Sequence, residues 1–175
     1  KQELRLSGTG GQGLILAGII LAEAALLDGK LAIQSQSYGP EARGGSSKSE
    51  VMISEEAIHF PKVTEPNLLL AMSQEAANKY STDLSPESIL VTDSLFVSKL
   101  PAHSGKVYEL PITHSAKEIL GKALFANIIA LGALVKITKI VSEESLVKAV
   151  LNRVPKGTED VNKQALQIGM DLVKE

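Results

Sequence analysis

The sequence predicts an α/β fold with a doubly wound, mostly parallel sheet and a helical C-terminal layer. Two observations favour this fold class. An alternating, strand-like segment at the N-terminus runs into a glycine-rich turn and then an apolar helix. Short buried-strand patterns alternate with helical patterns along the middle of the chain, and the last third shows helical patterns only.

The N-terminal unit is predicted from hydrophobic periodicity and from glycine positions. Residues 4–6 alternate as a short strand, residues 7–13 form the glycine-rich turn, and residues 14–27 have the apolar density of a helix. Gly29 stands just past the end of that helix, where glycine commonly terminates helices. Residues 31–33 then begin a second strand. We therefore expect a β-α-β unit with a parallel pair of strands, which is the opening of a Rossmann-like sheet.

The remaining elements follow from the same periodicities, and together they predict one domain over residues 1–175. A loop rich in glycine and proline is followed by a strand that alternates as if half-exposed, at residues 49–54. Further strands and one helix are predicted at residues 68–72, 74–80 (the helix), 89–93 and 106–110. Three helices complete the chain from His114 onward, at residues 124–139, 143–154 and 159–173.

Composition excludes several classes of function. The chain is 44% hydrophobic and 22% charged with a formal net charge of -2, which gives no electrostatic reason to expect nucleic acid or a membrane surface as partner. Its longest apolar run, residues 124–135, is shorter than the roughly 20 residues that cross a bilayer. The N-terminal residues lack the features of a secretory signal, so we expect a cytoplasmic protein. Cysteine is absent, which excludes disulfides and thiolate-held zinc or iron–sulfur clusters.

The glycine-rich turn is the candidate cofactor-binding segment. Gly8, Gly10 and Gly13 satisfy the pattern G-x-G-x-x-G between a strand and a helix, and Gly11 adds another glycine. The predicted cofactor-binding residues are Gly8, Gly10, Gly11, Gln12 and Gly13. Because missing Cβ atoms allow close approach and a helix N-terminus attracts anions, the turn favours phosphate binding. A tight turn that only packs on a neighbour is the alternative.

Two nucleotide-binding classes fit this turn poorly. A Walker A loop would place Lys and Ser or Thr after its last glycine, whereas Leu14 and Ile15 follow Gly13. An NAD site would place Asp or Glu at the end of the second strand, whereas that strand continues as Gln34-Ser35-Gln36. Neither triphosphate hydrolysis nor nicotinamide binding is expected.

No catalytic or metal-binding constellation is predicted. His59, His103 and His114 are far apart without metal-ligand spacing, and Gly45-Ser46-Ser47 lacks the flanking glycines of a nucleophile elbow. Asp93 follows a predicted strand, and we interpret it as the cap of the next turn rather than as a catalytic acid.

Three segments resemble a known family in order and spacing. They are Gly-Thr-Gly-Gly-Gln-Gly at residues 8–13, Ser-Tyr-Gly-Pro-Glu-Ala-Arg-Gly-Gly at residues 37–45, and Asn-Ile-Ile-Ala-Leu-Gly-Ala-Leu at residues 127–134. Together they resemble the gamma subunits or gamma domains of the 2-oxoacid:ferredoxin oxidoreductases. The second segment is the most specific, because it is long and combines turn residues with Glu41 and Arg43. Asn127 and Gly132 of the third segment are also compatible with close packing and one satisfied polar group.

The resemblance implies a subunit that is inactive alone. Enzymes of this family oxidatively decarboxylate a 2-oxoacid with coenzyme A to an acyl-CoA, carbon dioxide and reduced ferredoxin. The resemblance implies that thiamine diphosphate and iron–sulfur clusters belong to alpha and beta subunits and, in some complexes, a delta chain. It also implies that this chain reaches ferredoxin only through the complex. The gamma domain would then hold no cofactor alone and lie near coenzyme A, with a partner or coenzyme loop formed by Tyr38, Gly39, Pro40, Glu41, Arg43, Gly44 and Gly45.

Substrate choice and one alternative function remain open from the sequence. The segments at residues 14–18 and 36–45 are most similar to the 2-oxoglutarate branch, against pyruvate, branched-chain 2-oxoacids and indolepyruvate. The alternative function is a stand-alone module that binds a nucleotide or coenzyme through a degenerate Rossmann turn.

Overall fold

A six-stranded mixed sheet organises the computed structural model, which describes residues 1–37 and 46–174. Within these residues the sheet has the order β2-β3-β1-β4-β5-β6. The strands are β1 (Gln2–Thr9), β2 (Leu31–Gln36), β3 (Ser46–Ser54), β4 (Leu68–Ala71), β5 (Ile89–Asp93) and β6 (Lys106–Leu110). The helices are α1 (Leu14–Leu27), α2 (Gln74–Tyr80), α3 (Ile112–Leu120), α4 (Ala126–Thr138), α5 (Glu143–Arg153) and α6 (Glu159–Leu172).

Helices cover both faces of the sheet, as the predicted fold class requires. Leu4 and Leu6 of β1 point into the main core together with α1 and the helices of the C-terminal third. Leu69 of β4 and Leu90 of β5 point to the opposite face of the sheet. There they pack against Ala76 and Tyr80 of α2. The predicted α/β fold with a helical C-terminal layer is confirmed.

The predicted parallel pairing of the first two strands is wrong. β3 lies between β1 and β2 and is antiparallel to both, whereas β1, β4, β5 and β6 form parallel neighbours. The crossover through α1 therefore skips one position in the sheet, and β3 fills it from the opposite direction. The direction of β2 is as expected, because it still runs the same way as β1.

The same insertion explains why β3 is mostly buried rather than half-exposed. Polar side chains of β3 such as Glu50 and Ser49 find partners inside the fold, so the alternating pattern does not mark a solvent-facing side. Glu50 accepts a hydrogen bond from Arg5 Nε at 2.7 Å, and Ser49 Oγ accepts one from Gln34 Nε2 at 3.1 Å. Buried polar groups are tolerated when they are paired in this way.

Helix α3 is absent from the sequence-based prediction because its N-cap residue, Pro111, makes no side-chain hydrogen bond, and a carboxylate 20 residues earlier in the chain binds its first turn instead. Asp93, at the end of β5, accepts hydrogen bonds from Thr113 N at 3.3 Å, from Thr113 Oγ1 and from Leu95 N at 3.2 Å. Burial raises the pKa of the Asp93 carboxyl above its ordinary value, and these hydrogen bonds offset only part of the shift. Asp93 therefore caps the following turn, as expected, and also fixes the start of α3.

The C-terminal layer depends on close contact between α4 and α6. A Cβ atom on Gly132 would overlap the Leu166 carbonyl oxygen, and one on Gly169 would overlap the Ile129 carbonyl oxygen. Residues 126–135 of α4 are all buried. Glycine at both crossing positions lets the two backbones approach more closely than any larger residue would allow.

A set of hydrogen bonds joins the end of α1 to the start of α5. The Asp28 carboxylate, directly after α1, accepts hydrogen bonds from Ser142 N at 2.6 Å, Ser142 Oγ at 2.7 Å and Ser145 Oγ at 2.5 Å. Burial alone would raise the pKa of Asp28, but these hydrogen bonds and the charge of Lys30 outweigh it and lower the pKa.

Replacing Gly169 by Ala tests the close helix crossing. Alanine normally favours a helix over glycine by about 1 kcal/mol, but here the new methyl group would overlap the Ile129 carbonyl oxygen. We expect the free energy of unfolding to fall by about 1 to 3 kcal/mol, as measured by chemical denaturation. Gln164→Ala, at an exposed position of α6, is the control and should change it by less than about 0.5 kcal/mol. A stabilised Gly169→Ala variant would contradict the crossing.

Replacing Asp28 by Asn tests the tie between α1 and α5 through its pH dependence. A lowered pKa in the folded state stabilises the fold above the unfolded-state value of about 3.9, and this contribution is lost as the pH falls through the folded-state pKa. We expect Asp28→Asn to be less stable than the parent at pH 7, by on the order of 1 kcal/mol, with the gap narrowing below about pH 4. Thermal unfolding from pH 3 to 7 measures the stability difference between the parent and Asp28→Asn, and Asp171→Asn is the control. A gap that does not change with pH would contradict the assignment.

Candidate functional site

The predicted turn is shorter in the structure, because residues 7–9 belong to β1. The glycine turn, residues 10–13, lies between β1 and α1, at the edge of the sheet where the parallel strands have their carboxyl ends. Gly11 and Gly13 have φ angles of 89° and 76°, in the left-handed region that favours glycine. Gly13 is the N-cap of α1, no side chain caps the helix, and its first turn contains no acidic residue. The first N–H groups of α1 therefore lack an intrahelical acceptor and a neighbouring carboxylate.

The Gln12 side chain stabilises the turn through two hydrogen bonds to the backbone. Its Oε1 atom accepts a hydrogen bond from Thr9 N at 2.8 Å, and its Nε2 atom donates one to the Met72 carbonyl oxygen at 3.0 Å. A Cβ atom on Gly8 would overlap Gln12 Oε1. Gly8 is buried within β1, so the missing side chain at this position makes room for Gln12.

Asn127, at the start of α4, holds the other end of the turn. Its Nδ2 atom donates to the Gly13 carbonyl oxygen at 3.1 Å, and its Oδ1 atom accepts from Ile128 N at 3.0 Å. A Cβ atom on Gly13 would lie 2.5 Å from Asn127 Nδ2. Asn127 is thus a satisfied polar group, as the sequence analysis allowed, and its partner is 114 residues away.

A cleft of about 400 Å³ opens beside the turn. Gly10, Gly11 and Gly13 form one wall of it, and Ser37 and Ser47 line another side. The cleft therefore lies beside the C-terminal end of β2 and the N-terminal end of β3. The predicted partner or coenzyme loop, Tyr38 to Gly45, lies outside the described residues.

Lys48 is the charged residue of this cleft that the sequence analysis did not single out. Its Nζ atom lies 3.6 Å from Glu50 Oε1 and 5.6 Å from the centre of the Tyr80 ring. Only its position on β3, beside the end of β1, brings it to the turn. Its ammonium group, beside Glu50 and Tyr80, lies on the α2 side of the sheet, so the N-terminus of α1 is the feature that makes the cleft suitable for an anionic group such as a phosphate.

The three histidines do not assemble into a site. His103 Nε2 lies 2.9 Å from the Ser88 carbonyl oxygen, whereas His59 and His114 are exposed on separate parts of the chain. Across residues 1–37 and 46–174, no group of three or more His, Cys, Asp or Glu side chains has a geometry that could hold a metal ion. No helix in that same part of the chain is long and apolar enough to span a bilayer.

Replacing Asn127 by Ala tests the contact that holds the turn. The change removes a donor to the Gly13 carbonyl oxygen and leaves Ile128 N without its side-chain acceptor. We expect the free energy of unfolding to fall by roughly 1 to 3 kcal/mol, as measured in denaturant. Asn152→Ala, on the exposed side of α5, should have little effect. Equal stability of the parent and Asn127→Ala would show that the contact does not support the fold.

Comparison with known proteins identifies the family. Residues 3–172 match the family described as pyruvate ferredoxin/flavodoxin oxidoreductase. The chain is 51% identical to the 2-oxoglutarate synthase subunit KorC of Methanocaldococcus jannaschii, over 100% of this chain and 95% of that protein.

Two solved structures share the whole fold. The gamma subunit of a keto/oxoacid ferredoxin oxidoreductase from Geobacter sulfurreducens PCA is 50% identical with a TM-score of 0.89, covering 98% of this chain and 97% of that one. The pyruvate oxidoreductase subunit PORC of Thermotoga maritima is 30% identical with a TM-score of 0.83, covering 99% and 97%. Full-length matches in sequence and structure therefore agree, and the chain belongs to the pyruvate ferredoxin/flavodoxin oxidoreductase family.

Proposed function

We propose that this chain is the gamma subunit of a 2-oxoglutarate:ferredoxin oxidoreductase. The complex would oxidatively decarboxylate 2-oxoglutarate with coenzyme A to an acyl-CoA, carbon dioxide and reduced ferredoxin. The observation that carries the proposal is the 51% identity to a 2-oxoglutarate synthase subunit over the whole chain, against 30% to a pyruvate oxidoreductase subunit. These full-length matches to subunits favour this function over a stand-alone binding module.

The chain would contribute structure and a coenzyme contact rather than catalytic groups. It contains no cysteine to ligate an iron–sulfur cluster and no Gly-Asp-Gly start of a thiamine diphosphate motif. Thiamine diphosphate and the clusters would belong to alpha and beta subunits, with a delta chain in some complexes, and ferredoxin would be reached through them. Residues 1–175 would act as one domain, and we expect the protein to be located in the cytoplasm.

Coenzyme A would approach the glycine turn with one of its phosphates. Gly11 offers open space, since no atom lies within 4 Å of a Cβ placed there. The free N–H groups and partial positive charge of the α1 N-terminus, at the edge of this cleft, favour a phosphate. The turn is also held on both sides, by Gln12 and Asn127. A preformed site loses less entropy on binding than a mobile one.

The loop from Tyr38 to Gly45 would complete this site or meet a partner subunit. Ser37 and Ser47, which bracket the loop, line the same cleft as the glycine turn. Within it Arg43 carries a guanidinium suited to a phosphate or carboxylate, and Glu41 would orient Arg43 or pair with a cation of another subunit.

Reconstitution tests the proposed function. The purified chain, the alpha and beta subunits from the same genome, and the combination of all three are each supplied with 2-oxoglutarate, coenzyme A and a viologen dye. We expect a colourless, inactive chain and dye reduction only in the complete complex, with pyruvate a poorer substrate than 2-oxoglutarate. Dye reduction by the chain alone would contradict the proposal, as would full activity of alpha and beta subunits that neither need nor bind it.

Replacing Arg43 by Ala in the assembled complex tests the loop. Loss of a contact with coenzyme A should raise the coenzyme A concentration needed for half-maximal rate tenfold or more, which corresponds to about 1.4 kcal/mol or more. Kinetics in coenzyme A, together with subunit retention on a sizing column, measure the two predicted roles separately. Arg153→Ala is the matched control, because Arg153 forms a surface pair with Glu23 at 3.2 Å, and such pairs contribute about 0 to 1 kcal/mol. Unchanged kinetics and retention would make Arg43 an ordinary surface residue.

A further inference from the structure

An apolar turn protrudes between two clefts on the far side of the glycine turn from Lys48. The 3₁₀ turn Ala123–Phe125 joins α3 to α4, and none of its three apolar residues is buried. Leu124 is 64% exposed, which is high for a side chain of this size. An exposed cluster of large apolar side chains commonly marks a site of contact with another protein.

Leu124 forms a wall of both clefts. One cleft, of about 350 Å³, also includes Gly11 and Gln12 of the glycine turn. The other, of about 310 Å³, lies between the start of α4 and the segment that joins α5 to α6. We call the region the Leu124 surface and define it by Phe96, Lys117, Lys122, Leu124, Phe125 and Pro155.

Its charges all have one sign. Among the described residues that line the two clefts, Lys117 and Lys122 carry charge and no carboxylate is present, although the chain as a whole has a formal net charge of -2. The surface is therefore apolar at its centre and basic at its edge, which is complementary to an apolar side chain with acidic neighbours.

We propose that the Leu124 surface docks a partner subunit of the complex, through a segment in which a large apolar side chain is flanked by carboxylates. This inference rests on the proposed function, because it assumes that such a partner subunit exists. The partner segment would enter the clefts on either side of Leu124 and place its carboxylates beside Lys117 and Lys122. It would also touch Gly11 and Gln12, so the docking surface and the coenzyme cleft would share the glycine turn.

Other occupants fit the surface less well. A second copy of this chain would bring the same two lysines towards a patch of like charge, and juxtaposed like charges disfavour association. A small molecule usually binds in one enclosed concavity, whereas here an exposed side chain protrudes between two open ones. The shape and the charge both favour a protein segment.

The test uses the complex of this chain with its alpha and beta partners. Leu124→Asp places a carboxylate against the partner's carboxylates, and we expect it to weaken binding to the alpha–beta assembly tenfold or more. The double change Lys117→Glu with Lys122→Glu should weaken binding to a similar extent and reduce its dependence on salt. Leu26→Asp is the matched control: Leu26 is 57% exposed and lies about 18 Å along α1 from Leu14, at 1.5 Å per residue. Circular dichroism and thermal midpoints confirm that each variant is folded.

The outcomes separate this inference from the proposed function. Failure of the parent chain to bind its partners would overturn both. Normal binding by the parent, by Leu124→Asp and by the double variant would overturn the docking surface alone. Loss of binding in Leu26→Asp but not in Leu124→Asp would move the interface to the other end of α1 and overturn it. So would dimerisation of the isolated parent that Leu124→Asp abolishes, or variants that assemble normally but lose their response to coenzyme A.

Discussion

The carbonyl oxygen of Gly13 is the point on which the site depends. It accepts the first hydrogen bond of α1, from Ala17 N at 3.1 Å, and a second from Asn127 Nδ2 at 3.1 Å. One atom thus joins the N-terminus of α1 to α4, the most buried helix of the C-terminal layer. Glycine is required at residue 13, because its φ of 76° and the nearby amide of Asn127 leave no room for a side chain.

The helical layer makes this contact rigid. α4 is buried along residues 126–135 and pressed against α6 through Gly132 and Gly169, while Asp28 fixes the far end of α1 to α5. Close-packed protein interiors have low compressibility. The glycine turn is consequently presented on a fixed support, which suits a subunit that offers a preformed contact to a coenzyme or a partner rather than chemistry of its own.

Local signals in the sequence were sufficient for much of the fold. The apolar density after Gly13 predicted α1 with its observed bounds, and short bounded runs predicted α2, β5 and β6 correctly. The prediction was wrong or incomplete where residues far apart in the sequence determine strand pairing or the start of a helix. β3 inserts between β1 and β2 because pairing depends on the whole sheet, and α3 is capped by Asp93 across 20 residues. In the site, the motif located the glycine turn, but the closures by Gln12 and Asn127 join segments 60 and 114 residues apart, which no local pattern reveals.

Hydrogen–deuterium exchange on the assembled complex tests most directly whether the glycine turn contacts coenzyme A. Backbone amides at the start of α1 have no intrahelical acceptor, so a bound phosphate should slow their exchange. We predict that coenzyme A protects the peptide covering residues 10–16, while a peptide from the exposed end of α6 is unchanged. Equal exchange at residues 10–16 with and without saturating coenzyme A, in a complex that is active with it, would contradict the assignment of this turn as the coenzyme contact.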